Sequence, residues 1–274
     1  RQLLGGTVTD PILQLTFRAE KEAIDVTELR LTSSGSSAAS IDRLEFSKVN
    51  FPSLFAAATI GACSGNDVPS QNPADGSSVQ NFCVTLPAGT LRIAKDQRLQ
   101  IIVRARMKSD AQGGISGENI QFWLTGQAVN AATSGSGSVK ARGVSSSERI
   151  SANDGDGDAE GELFIGRDSA GANSNIIGTL HTSVLAKIST VVNASSDSDG
   201  TAIPAGTNTI GALKFETAEN TNTAGGTNMV VLDDILFTVS STNVTLNAAS
   251  FTVANAQDPT IVSSCMPLDT DGNV

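Results

Sequence analysis

Leu99, Ile101, Val103, Ala105 and Met107 occupy every second position of one run, with Gln100, Arg104 and Arg106 between them. Only an extended chain sends alternate side chains to opposite faces, so the run predicts a β-strand with one face in a core and the other outward. Similar patterns occur on both sides of it. Leu13, Leu15 and Phe17 form one set; Val26, Leu29 and Leu31 another; Ile41, Leu44 and Phe46 a third. The apolar stretch 54–60, then Phe82, Val84 and Leu86, then Ile120, Phe122 and Leu124 complete the series, with the turn Pro87-Ala88-Gly89 inside it. No stretch sustains a 3.6-residue apolar period over four turns, so helix is expected to be scarce.

A chain of 274 residues exceeds the usual single-domain size, which predicts two domains. Seven strands between residues 13 and 124 fit a Greek-key sandwich of immunoglobulin type. The stretch 126–139 is poor in large apolar residues, contains Ser134-Gly135-Ser136-Gly137-Ser138, and reads as a linker or long surface crossing. Beyond it, strands are expected over 139–144, 161–166, 183–192, 209–217, 229–239, 250–254 and 260–265. The expected fold is all-β: two tandem Ig-like, Greek-key β-sandwich domains, residues 1–126 and an acidic, long-looped 127–274.

Charge divides the chain at the same place. Residues 1–125 hold twelve Lys plus Arg and twelve Asp plus Glu, while 126–274 hold six and sixteen, which accounts for the whole net charge of −10. Phosphate backbones demand clustered cations, so nucleic acid is not expected as a partner. No apolar run is long enough to span a bilayer. The N-terminal Arg1-Gln2-Leu3-Leu4 carries neither an initiator Met nor a secretory pattern. The expectation is a removed leader or a start at the beginning of ordered structure, and both allow export.

Three cysteines are present. Cys63 lies in the loop Ala62-Cys63-Ser64-Gly65-Asn66, and Cys83 opens the next apolar alternation. In an exported protein a Cys63–Cys83 disulfide would staple loop to strand, worth about 3 kcal/mol in the chain-entropy model. Cys265 is then left as a buried thiol or an inter-chain partner.

The sharpest local feature is Asp154-Gly155-Asp156-Gly157-Asp158-Ala159-Glu160-Gly161-Glu162. Asp154, Asp156, Asp158, Glu160 and Glu162 would share one side of an extended segment, and the glycines let the backbone curl around an ion. Calcium suits this oxygen-rich, flexible set better than magnesium or zinc. The pattern is not that of an EF-hand, because Ala159 stands at the turn glycine and Ile165 at the bidentate Glu; a solvated acidic loop is the alternative. Asp197-Ser198-Asp199-Gly200 and Asp269-Thr270-Asp271-Gly272-Asn273 repeat the chemistry. If the latter opens a calcium-binding repeat, the natural polypeptide is expected to continue past Val274.

Catalytic groups are few. His181 is the sole histidine and has no Gly-x-Ser-x-Gly turn beside it, so a nucleophile-histidine enzyme is not expected. The cysteines lack zinc-ligand spacing. One Trp, Trp123, and no Tyr leave little aromatic platform for sugars. Asn193-Ala194-Ser195 and Asn243-Val244-Thr245 match the glycan-acceptor tripeptide, a common chance pattern.

An internal similarity points to one unit used twice. Gly6-Thr7 with Thr9, Leu15-Thr16-Phe17, Ala19-Glu20 and Leu29-Arg30-Leu31-Thr32 recur in order. The counterparts are Gly206-Thr207 with Thr209, Leu213-Lys214-Phe215, Ala218-Glu219 and Ile235-Leu236-Phe237-Thr238, with an insertion at 221–228. Ile203-Pro204-Ala205-Gly206-Thr207, Ile235-Leu236-Phe237-Thr238-Val239 and Val26-Thr27-Glu28-Leu29-Arg30-Leu31 resemble repeats of long bacterial surface proteins. In those proteins, Ig-like β-domains are strung together as surface layers, fibres or stalks. The resemblance implies location and architecture, not a reaction.

The expected function is therefore a non-catalytic structural subunit of an extracellular, cell-surface assembly that polymerises with itself. The alternative is an adhesin or ligand-binding module recognising cell-wall or surface glycans. Residues 1–10, with Leu3, Leu4 and Val8 before Pro11, are a candidate self-assembly arm that adds a strand to a neighbour's sheet; the simpler expectation is a first strand of its own domain.

Overall fold

The computed structural model describes residues 1–34, 39–61, 79–124, 136–153, 163, 165–166, 176–195, 204–220, 227–238 and 251–266. Their regular structure is β, with no α-helix and one 3₁₀ turn at Asp110–Gln112. The chain divides into two compact units, Arg1–Val230 and Val231–Val274.

In the first unit, a long sheet curls on itself. One half runs in the order β2 (Leu13–Arg18), β8 (Arg98–Met107), β4 (Ile41–Lys48), β5 (Phe51–Ile60). The alternation around Leu99 is the reason: Ile101, Val103, Ala105 and Met107 are buried. Val103 pairs with Leu13 on one side and with Phe46 on the other. The other half comprises β6 (Val79–Thr85), β3 (Ile24–Ser34), β11 (Ser136–Gly143) and β12 (Arg149–Asn153). The halves join where β5 pairs with β6, Thr59 opposite Cys83 and Ile60 opposite Phe82. Leu29, Leu31 and Phe82 from one half and Leu44, Phe46 and Ile101 from the other belong to one hydrophobic core.

Shorter strands finish this unit. β7 (Arg92–Ile93) pairs with the start of β3, where Arg92 donates to both Asp25 carboxylate oxygens at 2.8 and 2.7 Å. The turn before β7 is the one legible in the sequence: Thr90 N donates to Pro87 O at 3.1 Å, and Gly89 takes φ +83°, the left-handed conformation that a type II turn requires. β10 (Phe122–Leu124) lies between β3 and β13 (Ile176–Ile177), with Phe122 edge-on to Phe82 at 5.8 Å. A small sheet has the order β1 (Gln2–Leu4), β14 (His181–Val184), β9 (Asn119–Ile120), and β15 (Ala186–Asn193) with β16 (Leu213–Glu219) forms a two-stranded ribbon. In the second unit, β17 (Thr252–Ala254) pairs with β18 (Val262–Ser264).

Strand pairing crosses the boundary expected at 126/127. β11 lies against β3, with Val139 opposite Leu29 and Ala141 opposite Val26, and Val139 and Ala141 are both buried. The Ser/Gly run suggests a linker by composition, but the two apolar residues just after it close the first core, so this sheet takes strands from both expected domains. Two further expectations change. The span 183–192 is split between β14 and β15, and 229–238 runs without ladder partners among the described residues.

Ile101 is fully buried at the centre of this arrangement, whereas Gln100 faces outward toward Thr16. Ile101→Ala is expected to cost about 2–5 kcal/mol, read as a lower denaturant midpoint with unchanged slope. Gln100→Ala should stay within about 0.5 kcal/mol.

Candidate assembly interface

The N-terminal segment is seated on its own chain. β1 lies parallel to β14, with Gln2 opposite Thr182, Leu3 opposite Ser183 and Leu4 opposite Val184. Thr182 N donates to Arg1 O at 2.9 Å and Gly5 N to Val184 O at 2.7 Å. The segment then passes beside β8: Met107 N donates to Thr7 O at 2.8 Å, Thr9 N to Ala105 O at 2.9 Å, and Val8 bridges Arg106. Of the three apolar arm residues, Leu3 enters the core, Leu4 is half-buried and Val8 is exposed.

Asn220 latches this seam. Its Nδ2 donates to Leu185 O at 2.8 Å and to Gly5 O at 3.3 Å, while its Oδ1 accepts from Asp110 N at 3.2 Å. One side-chain amide thus ties the arm, the start of the ribbon and the 3₁₀ turn. Gly5 suits that approach, because a Cβ there would stand 3.0 Å from the backbone Lys108 O as well as 2.8 Å from Leu185 Cδ2 and 3.0 Å from Asn220 Nδ2. Sequence reasoning missed Asn220. The available signal was its place directly after Ala218-Glu219, where the repeat breaks for its insertion.

His181 begins β14 and pairs with Ile120 of β9. It is 4% exposed, and neither ring nitrogen completes a hydrogen bond of normal geometry among the described residues. Burial first, then the Arg1 guanidinium, push its pKa below the ordinary value, against a smaller opposing influence of the Arg1 backbone. A neutral imidazole packed under the arm makes protonation costly, because the added charge would be desolvated and face like charge. The chemistry of this seam is strand pairing and amide latching, suited to holding or exchanging a segment.

Other predicted site residues stand apart from it. Asp154, Asp156, Asp158, Glu160 and Glu162 lie outside the described residues, as do Cys63 and the two smaller acidic runs. Cys83 is buried in β6 opposite Arg30, and Cys265 is a half-buried free thiol in the second unit. Among the described residues, no group of three or more His, Cys, Asp or Glu is placed to hold a metal ion, and no helix is long and apolar enough to cross a membrane. Trp123 is buried in β10. Asn193 ends β15, where its Oδ1 accepts from Ser195 N at 2.8 Å.

No family model, curated protein or solved structure matches this chain.

Because the folded pKa of His181 is depressed, the unfolded chain binds the extra proton first. The stability contributed by the neutral ring is present above the ordinary value near 6.5 and is lost as pH falls from there toward the folded pKa. The thermal midpoint is expected to fall across that window, and His181→Gln should flatten the slope. A further decline set by Asp25, whose pKa the Arg92 hydrogen bonds lower most, belongs to a more acidic window, below the ordinary carboxylate range.

Proposed function

We propose that this chain is a structural subunit of an extracellular, cell-surface assembly, a filament, fibre or layer, built by self-association of its Ig-like β-units. The observation that carries the reading is the arm. Residues 1–9 form a short parallel strand and a bridge that satisfy β14 and β8, and they add one large buried side chain, Leu3, to the core. A segment held by a few ladder bonds and one anchor is easily exchanged: the same bonds form whether it docks on its own chain or on a neighbour's. Calcium belongs to the proposal through the five carboxylates of 154–162, and the Cys63–Cys83 disulfide belongs to it as an extracellular staple.

The full chain is expected to form larger species with rising concentration in sedimentation velocity, and removing residues 1–9 should abolish them. Assembly unaffected by the deletion would exclude the arm. A chain that remains monomeric at every concentration but is retained by cell-wall glycans would favour the adhesin reading.

If calcium fills a folded-state site, it should stabilise by RT ln(1 + [L]/Kd), about 2.7 kcal/mol at one hundred times Kd. The full chain should therefore unfold at higher temperature in calcium than in chelator. The triple change Asp154→Asn, Asp156→Asn, Asp158→Asn should remove the difference. An unchanged midpoint in the parent chain would return the acidic run to a solvated loop.

A further inference from the structure

Among the described residues, arginine lies directly opposite arginine at three places in the sheets. Like charges so placed destabilise a strand pair, and two of the three sites show how the chain offsets this. Glu45 bridges Arg43 and Arg106, its Oε1 lying 2.9 and 3.0 Å from the two guanidinium groups. Arg18, opposite Arg98, has Glu20 at 3.2 Å. The third pair is Arg142 of β11 and Arg149 of β12. Both are exposed, and no carboxylate among the described residues forms an ion pair with either.

This pair borders a cavity. Arg142, Arg149 and Lys140, two residues along β11 and therefore on the same face, line a cleft of about 390 Å³. The rest of its lining is uncharged: Thr27, Ala88, Ala141 and Ile150. Carboxylates on the neighbouring elements have partners of their own. Asp25, opposite Arg142 on β3, takes the Arg92 guanidinium at 2.8 and 2.7 Å. Glu28 pairs with Arg30 and, at 3.7 Å, with Lys140. Glu22 accepts from Ser145 N, Ser146 N and Ser146 Oγ in the turn between β11 and β12. Glu148, next to Arg149 in the chain, does not line the cleft.

An external anion would do here what Glu45 does for Arg43 and Arg106, and charge and geometry select its kind. Directly opposed side chains start about 5 Å apart, close enough for both guanidinium forks to reach one group. A fork takes two oxygens of a carboxylate or phosphate in parallel hydrogen bonds. A single carboxylate offers two oxygens and one charge, whereas a phosphoryl group offers three acceptor oxygens and about two charges near neutral pH, which matches two arginines with Lys140 beside them. Three cations suit one phosphoryl group and not a nucleic-acid backbone. The cleft has the size of a small-ligand pocket, and its uncharged walls suit the organic part of an ester. We infer that the cleft between β11, β12 and the turn at 87–89 binds the phosphoryl group of a small molecule through Arg142, Arg149 and Lys140. This site goes beyond the assembly reading and needs only one chain.

The test is isothermal titration calorimetry of the full chain with glycerol 1-phosphate, inorganic phosphate and acetate. The ester should bind more tightly than inorganic phosphate, and acetate should not bind over the same range; the reverse order of the first two would assign the site to free phosphate. Arg142→Gln and Arg149→Gln should each weaken binding about tenfold or more. Arg98→Gln, at an exposed position outside the cleft, should not. Each cleft variant removes one of two opposed like charges, so without ligand it should unfold no lower than the parent. The ester should raise the parent's thermal midpoint and leave those of the cleft variants in place. Absence of binding by the parent, acetate binding as tight as the ester's, or an equal loss in Arg98→Gln overturns the site. Binding that appears only in Asp154→Asn/Asp156→Asn/Asp158→Asn also overturns it, because the chain's own acidic run would then hold the arginines.

Discussion

The first unit depends on the burial of one side of β8. Ile101, Val103, Ala105 and Met107 point into the core, while the backbone bonds β2 on one edge and β4 on the other. The same strand continues past β2 to receive Thr9 and Val8. Its outward charges are used as well: Arg106 Nε lies 3.0 Å from Glu45 Oε1, Arg43 contacts the same oxygen at 2.9 Å, and Arg104 donates to Ser47 Oγ at 3.1 Å. Hydrophobic burial supplies the driving force here. The exposed ion pairs add little and chiefly fix register.

That dependence explains what was legible beforehand. Alternation exposed β2 and β8 because each has one wetter and one drier face, and Pro87-Ala88-Gly89 was readable because a type II turn needs a residue tolerant of positive φ. The partners of the strands were not legible. Val139 and Ala141 look like isolated small apolar residues until they lie opposite Leu29 and Val26, since long-range pairing leaves no local trace. Part of the candidate site was visible in the sequence, as Leu3, Leu4 and Val8. Asn220 and Gly5 were not, because a side-chain amide latch depends on where three distant segments meet.

The two repeats differ in environment more than in sequence. Leu15, Leu29 and Leu31 are buried in the first. In the second, Leu213 is 47% exposed, and Ile235 and Phe237, the counterparts of Leu29 and Leu31, are 39% and 42% exposed. Apolar strand sequences bare of a covering layer are uncommon on monomers and mark surfaces that meet another molecule. The charge distribution limits where such meetings occur: a net charge of −10, all of it beyond residue 125, keeps copies apart except across neutral patches or where cations intervene. Self-assembly and divalent-ion dependence are therefore linked parts of one proposal.

Amide hydrogen exchange of the intact chain, followed from dilute to concentrated solution, tests that proposal most directly. The account predicts that β8 exchanges only through global unfolding at all concentrations, while residues 229–238 exchange rapidly when dilute and become protected as the chain associates. Equal exchange of that segment in monomer and assembly would contradict it.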